Sequence, residues 1–235
     1  MFRVIPAVDL KDGKVVRLRQ GKEKEITFSA EDPVGVATNW INRGARVLHV
    51  IDLDGAFQGK LKHEGIILKI ISLGVEVQVG GGIRDLKVAE RLLELGATRV
   101  ILGTLAVEKV EEVRNFANRW KGKVMIAVDV KGGKVVVKGW KEKTSLKPED
   151  FIKLYEDLDV SFLYTNVDVE GLVSGIDREV MGFLRRLNRP FYVAGGISSL
   201  DDISFVKKLG ARGVVLGSAL YTGKIKLEEA LKFES

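Results

Sequence analysis

Ten residues, AVDLKDGKVV at 7–16, return as AVDVKGGKVV at 127–136, with eight letters unchanged and an aspartate at the same place in each copy. Two further pairs follow suit. VGGGIRDL at 79–86 is answered by VAGGISSL at 193–200, and LGATRVILG at 95–103 by LGARGVVLG at 209–217, both 114 residues later without a gap. Self-similarity on this scale makes the chain two like halves, and only folds that accommodate such halves remain open to it. Short runs rich in Val, Ile and Leu alternate with longer amphipathic stretches, the pattern of βα units around a parallel sheet. Eight strands are predicted, at 2–9, 46–53, 75–81, 99–103, 123–130, 161–168, 191–196 and 213–218. LKVAERLLELG (86–96) represents the helical stretches between most of them: its apolar positions recur every three or four residues and it stops at a glycine.

Eight βα units in 235 residues predict a (β/α)8 TIM barrel with internal half-barrel duplication. A single domain over 1–235 is expected, because no linker, low-complexity tract or shift in composition interrupts the chain. An open Rossmann-like sheet would not need the doubling, and its G-x-G-x-x-G fingerprint is missing after the first strand.

Composition removes several kinds of chemistry. Cysteine is absent, which excludes disulfides, thiolate metal sites and cysteine nucleophiles, and His49 and His63 are the only histidines. No metal and no cofactor are expected. Lys and Arg outnumber Asp and Glu by 38 to 32, a bias toward anionic ligands. Without a basic run or basic–aromatic interleaving, however, the charge reads as a solvated surface and not as a nucleic-acid face. No apolar run reaches membrane-spanning length, and FRVIPAVDL opens as a strand and not as a signal peptide. A soluble, cytoplasmic monomer is expected, with a small molecule as its partner and neither nucleic acid nor membrane.

In such barrels the site forms at the C-terminal ends of the strands. Asp9 and Asp129 end predicted strands 1 and 5, so they face each other across the mouth. Two carboxylates so placed can move protons on two faces of one substrate, one taking a proton from carbon and the other giving one to oxygen. Aspartates in DxxDG and DxKGG turns also cap backbone N–H groups, and that simpler role stays open. GGGIR (80–84) with LGT (102–104) forms one glycine cluster, and AGGIS (194–198) with LGS (216–218) another. Glycine lets backbone N–H groups approach an anion, so two clusters point to a ligand with a phosphate at each end, or to tight turns alone. His49 ends strand 2, where it can bond a sugar or heterocycle or serve structure. Arg17, in the hairpin after strand 1, can reach an anionic or planar group. Thr165 ends strand 6. Trp140, on a loop after strand 5, is placed to stack on a bound ring.

Over the whole chain, IPAVDLKDGKVVRLRQG, HVIDLDGAF, VGGGIR, VDVKGGKVVVKGW, AGGISS and LGSALY resemble the motifs of a histidine-biosynthesis isomerase family. That family converts the phosphoribosylformimino-aminoimidazole-carboxamide ribotide to its phosphoribulosyl isomer. The resemblance implies a cofactor-free Amadori rearrangement, with Asp9 as general base, Asp129 as general acid and Thr165 near the sugar. Gly81, Gly82, Gly103 and Thr104 would hold one phosphate, and Gly195, Gly196, Gly217 and Ser218 the other. Arg17, His49 and Trp140 would contact the substrate. The related cyclase subunit of imidazole glycerol phosphate synthase shares the fold and both aspartates, but is expected to carry Cys-Leu-Asp in place of AVD and to lack KGW. An isomerase that also serves tryptophan synthesis keeps Arg17 and the tryptophan loop. A phosphate-binding barrel without catalysis is a reading from another class, against which both retained aspartates argue, since they would repel a dianion. One stretch departs from the family pattern: in YTNVDVEGLVSG (164–175), Asn166, Glu170 and Leu172 stand where Asp, Asp and Thr are usual. The family's Asp at the Glu170 position is itself a candidate acid, so Asp129 and Glu170 are alternatives for that role.

Overall fold

Twelve strands form in the structure, a computed structural model that describes residues 1–235. They are β1 (Arg3–Lys11), β2 (Lys14–Leu18), β3 (Ile26–Ala30), β4 (Val47–Asp52), β5 (Glu76–Gly80) and β6 (Arg99–Leu102) in the first half. The second half contributes β7 (Val124–Lys131), β8 (Lys134–Val137), β9 (Glu142–Lys143), β10 (Ser161–Asn166), β11 (Phe191–Ala194) and β12 (Gly213–Leu216). Eight pair in parallel in the order β10-β11-β12-β1-β4-β5-β6-β7, and β10 also pairs with β7, which closes the ring. These eight are the strands predicted from sequence, with helices between most of them, and the fold is a (β/α)8 barrel.

The repeated phrase builds a barrel strand, a tight turn and a return strand. Lys11 pairs with Lys14 across Asp12 and Gly13, and Lys131 with Lys134 across Gly132 and Gly133. All four turn residues have positive φ, between 51° and 75°, as a two-residue type I′ hairpin demands. Within A-V-D the period of two does the rest. Ala7 faces the barrel axis among Ile5, Val47, Ile101, Met125, Leu163, Tyr192, Ala194 and Val215. Val8 and Val128 face outward, fully buried under the helices, each worth about 1.5–3 kcal/mol of burial. Asp9 and Asp129 turn inward again, one layer nearer the open end. Small Ala7 and Ala127 beneath them leave the mouth hollow.

One unit departs from the pattern. Between β10 and β11 there is no α-helix, only the 3-10 turn Gly182–Arg186. Gly171, Val173 and Gly175 all have left-handed φ, so a right-handed helix cannot propagate from the strand end. Phe183 from the short turn covers the outer face of β10 instead, edge-on to Tyr164. No helix is long and apolar enough to cross a membrane.

Candidate active site

Asp9 on β1 and Asp129 on β7 lie four strands apart in the ring of eight, on opposite walls of one cavity. Their surroundings differ. Arg17 on β2 reaches back over the barrel end, its Nη1 donating to Asp9 Oδ2 at 2.5 Å and its Nη2 to Glu170 Oε1 at 2.7 Å. Its Nε donates to Ser218 Oγ at 3.4 Å, and the side chain is 5% exposed. Asp129 has no cation beside it; the Trp140 indole N–H donates to its Oδ2 at 2.8 Å, and Thr165 is its register neighbour on β10.

Burial raises the pKa of all three carboxyls, and the opposing influences differ. For Asp9 the Arg17 charge pulls back toward ionisation; for Asp129 only the Trp140 and Thr165 hydrogen bonds do so. Glu170 is raised by burial, lowered by Arg17, and raised again by the Asp9 and Asp129 charges. Two of the three buried carboxyls, Asp9 and Glu170, thus share one guanidinium, and Asp129 has none. The group that retains a proton most readily is the one without a cation, Asp129. Glu170, one methylene longer than the family's usual Asp, spends that length on reaching Arg17.

Trp140 is not waiting on an open loop. Lys138, Gly139 and Trp140 are consecutively left-handed, with φ of 56°, 64° and 66°, and each non-glycine residue there costs about 1–2 kcal/mol. The Lys138 N–H donates to Thr104 Oγ1 at 2.9 Å, and the indole lies against the Cα of Gly21, where a Cβ would come within 2.1 Å of the ring. The tryptophan is therefore already folded over the mouth and bonded to Asp129. His49 lines the floor, its Nδ1 2.9 Å from Gln78 Nε2, and burial with the Arg17 charge depresses its pKa to about 3. It is neutral at physiological pH.

The glycine clusters match in conformation as well as in sequence. Gly81 and Gly195 have φ of 92° and 90°, and Gly82 and Gly196 have 73° and 76°. The N–H groups of Gly81, Gly82 and Gly103, and of Gly195, Gly196 and Gly217, donate to no protein acceptor. Unpaired backbone donors in such number are uncommon in folded proteins and suit an anion. Of the residues singled out from sequence, Asp9, Arg17, His49, Gly81, Gly82, Gly103, Thr104, Asp129, Trp140, Thr165, Glu170, Gly195 and Gly217 line the cavity. Gly196 and Ser218 stand just behind it, the first packed on Val169 and the second under Arg17.

Sequence reasoning passed over Arg84, which lines the cavity next to the first glycine cluster and has its pKa lowered by burial. Its signal was present, as the charged member of GGGIR where the second half has AGGIS. Asp54 and Asp168 were passed over too. Each accepts from a hairpin turn, Asp54 Oδ2 from the Asp12 N–H at 2.7 Å and Asp168 Oδ2 from the Gly132 N–H at 2.8 Å. They are 114 residues apart, the spacing of the other repeats.

The chain also has known relatives along its length. The profile of the family described as "Histidine biosynthesis protein" matches residues 3–226. The chain is similar to three proteins named 1-(5-phosphoribosyl)-5-((5-phosphoribosylamino)methylideneamino)imidazole-4-carboxamide isomerase. That of Archaeoglobus fulgidus is 66% identical over 100% of this chain and 98% of its own. Those of Persephonella marina and Methanosarcina barkeri are 43% and 44% identical, covering 96% and 99% of this chain and 96% and 98% of theirs. With identity of this order running from one end of the barrel to the other, the chain belongs to the family of histidine biosynthesis proteins.

Proposed function

We infer that the protein is a cofactor-free aldose–ketose isomerase, which converts the phosphoribosylformimino-aminoimidazole-carboxamide ribotide to its phosphoribulosyl isomer in histidine biosynthesis. The observation that carries this reading is the pair of facing carboxylates with unequal partners. Asp9, beside Arg17, is the ionised member and the base; Asp129, beside an indole N–H and no cation, is the protonated member and the acid. Asp129 gives its proton to the ring oxygen of the aminoaldose as the C1–O bond breaks, leaving an iminium at C1. Asp9 removes the C2 proton, and the electron pair forms the C1–C2 double bond as the iminium becomes an enamine. The enaminol then takes the Asp9 proton at C1 as its C2 hydroxyl gives a proton to Asp129, which leaves a ketone at C2. No atom is gained or lost, and both carboxyls are restored.

The end-to-end similarity to proteins named as this isomerase supports the substrate, and AVD at 7–9 sets the chain apart from the cyclase expectation of Cys-Leu-Asp. Two sets of unpaired N–H groups, with Arg84 near one and Arg17 over the other, suit a small molecule with a phosphate at each end. A biosynthetic role of this kind is a cytoplasmic one.

The test is turnover of the ribotide by the wild-type protein and by Asp9→Asn. The variant should lose about 10² to 10⁴-fold or more in kcat while still binding product, because removing an acid–base group removes a step and not a contact. A near-normal kcat for Asp9→Asn would overturn the assignment.

A further inference from the structure

On the inner wall of the first half, three polar side chains stand side by side on neighbouring strands. His49 on β4 is in register with Gln78 on β5, and Gln78 with Arg99 on β6. Gln78 is fully buried, His49 is 6% exposed, and Arg99 closes the far end of the row with its guanidinium 5.5 Å from the Tyr192 ring centroid and 3.7 Å from Glu76 Oε2. The second half fills the corresponding positions with Leu163, Tyr192 and Gly213, also in register with one another. The barrel interior can therefore close without a polar row. Burying one carries a desolvation cost that packing does not require.

The row has a direction. A guanidinium only donates, so the end of the Gln78 amide facing Arg99 is the oxygen, at 3.5 Å from Nη1. The amide nitrogen is thereby turned to His49 Nδ1, at 2.9 Å, and must donate to it. A neutral imidazole that accepts at Nδ1 carries its proton on Nε2. His49 Nε2 has no partner in the protein, and the only fully buried side-chain polar atoms without one are Ser161 Oγ and Tyr164 Oη, so Nε2 is open to the cavity. Ala7 is the register neighbour of His49 on β1, which places the imidazole on the Asp9 side of the mouth.

We propose that Gln78 is a positioning residue which, oriented by Arg99, fixes His49 as the Nε2–H tautomer and so presents a neutral hydrogen-bond donor to a substrate oxygen beside Asp9. The role of the donor rests on the isomerase reading; the tautomer does not. Negative charge develops on the C2 oxygen as the enaminol gives up its hydroxyl proton, and a preorganised neutral donor stabilises it without adding a second cation beside Arg17.

The tautomer is measured in the ligand-free protein at neutral pH by long-range proton–nitrogen correlation on ¹⁵N-histidine, with the His63 signals identified in His49→Phe. His49 should show a protonated Nε2 and a bare Nδ1. In Gln78→Glu the carboxylate accepts where the amide donated, keeps a partner in Arg99, and should move the proton to Nδ1. Turnover in that variant should fall about 10²-fold in kcat with little change in KM, the loss typical of one removed donor. Gln78→Met, isosteric but unable to donate, should give a mixture of tautomers and an intermediate kcat, with urea unfolding confirming that both variants fold. A wild-type Nδ1–H tautomer, or a Gln78→Glu protein whose tautomer switches with kcat unchanged, overturns the proposal. A wild-type protein with the Nε2–H tautomer and no turnover would overturn the isomerase reading instead.

Discussion

Asp129→Asn should make the protein more stable at neutral and alkaline pH while stopping turnover. Asp129 is buried against the barrel wall with no cation beside it, and burial raises its pKa above the value of about 3.9 expected in the unfolded chain. The folded protein therefore binds this proton more tightly than the unfolded one. The stabilisation is complete below the unfolded pKa and is lost as pH rises through the folded one. Each unit of upward displacement is worth about 1.4 kcal/mol once both states have ionised. With no cation to offset its burial, the ionised Asp129 is a net cost at about pH 8, and the variant should gain stability there in proportion to that upward displacement. Asparagine keeps an oxygen for the Trp140 N–H, now at 2.8 Å from the carboxylate, so the substitution removes the charge and little else.

The assay is urea unfolding of both proteins between about pH 4 and about pH 8, since urea leaves charge interactions unscreened and its midpoint reports stability directly. The variant should lead at the alkaline end, and the two should converge toward the acid end. Equal stability at about pH 8, or a gap that does not change with pH, would refute the argument that Asp129 holds its proton through burial. With it would go the reason for assigning Asp129, and not Asp9, as the acid.

Gly81→Ala should cost more than about 2 kcal/mol, since a Cβ there would sit 2.2 Å from the Asp52 carbonyl oxygen on a backbone with φ of 92°. Gly133→Ala, at φ of 72° with nothing within 4 Å, should cost only about 1 kcal/mol; equal losses in thermal unfolding would show that the clash is relieved. Calorimetric titration with inorganic phosphate should saturate at two ions per chain, and Arg84→Met should weaken one of them; saturation at one would count against a doubly phosphorylated substrate. Substrates lacking either phosphate should lose kcat/KM by similar large factors, because remote binding energy positions the reacting carbon. Steady-state kinetics in which one truncated substrate matches the parent would show that its glycine cluster only scaffolds the barrel.

The barrel itself was legible because its determinants are local and repeated. Val-rich runs of four to eight residues, punctuated by glycines at helix ends, mark strands whatever lies opposite them, and the 114-residue echo sets the halves. Asp9 and Asp129 were legible for the same reason, as polar residues at the inward positions that end apolar strands. What was not legible depends on pairing across the ring. Nothing near Gln78 in the sequence tells that strands β4, β5 and β6 set it between His49 and Arg99. The reach of Arg17 to Glu170, 153 positions away, is likewise a property of the closed barrel. The missing helix after β10 was hidden differently, since Val173 carries no sequence mark of its left-handed backbone.

Up to Val16 and Val136 the two copies of the phrase differ only at Leu10/Val130 and Asp12/Gly132, and they part company at the next residue. There the first copy has Arg17 and the second Val137, and three positions further the first has Gln20 and the second Trp140. The hairpins match in turn conformation and register, so Arg17 and Val137 hold equivalent places on the two return strands, with Gln20 and Trp140 on the loops that follow. Arg17 folds back onto its own half's aspartate; in the other half Trp140 does so. Duplication alone would give two identical carboxylates, each equally ready to gain or lose a proton, and such a pair cannot divide acid from base. A guanidinium beside one favours the anion, while an indole N–H beside the other adds a hydrogen bond without a charge. The symmetry of the fold sets the two carboxyls on opposite walls of one cavity, and the residues just past the shared phrase give them unequal partners.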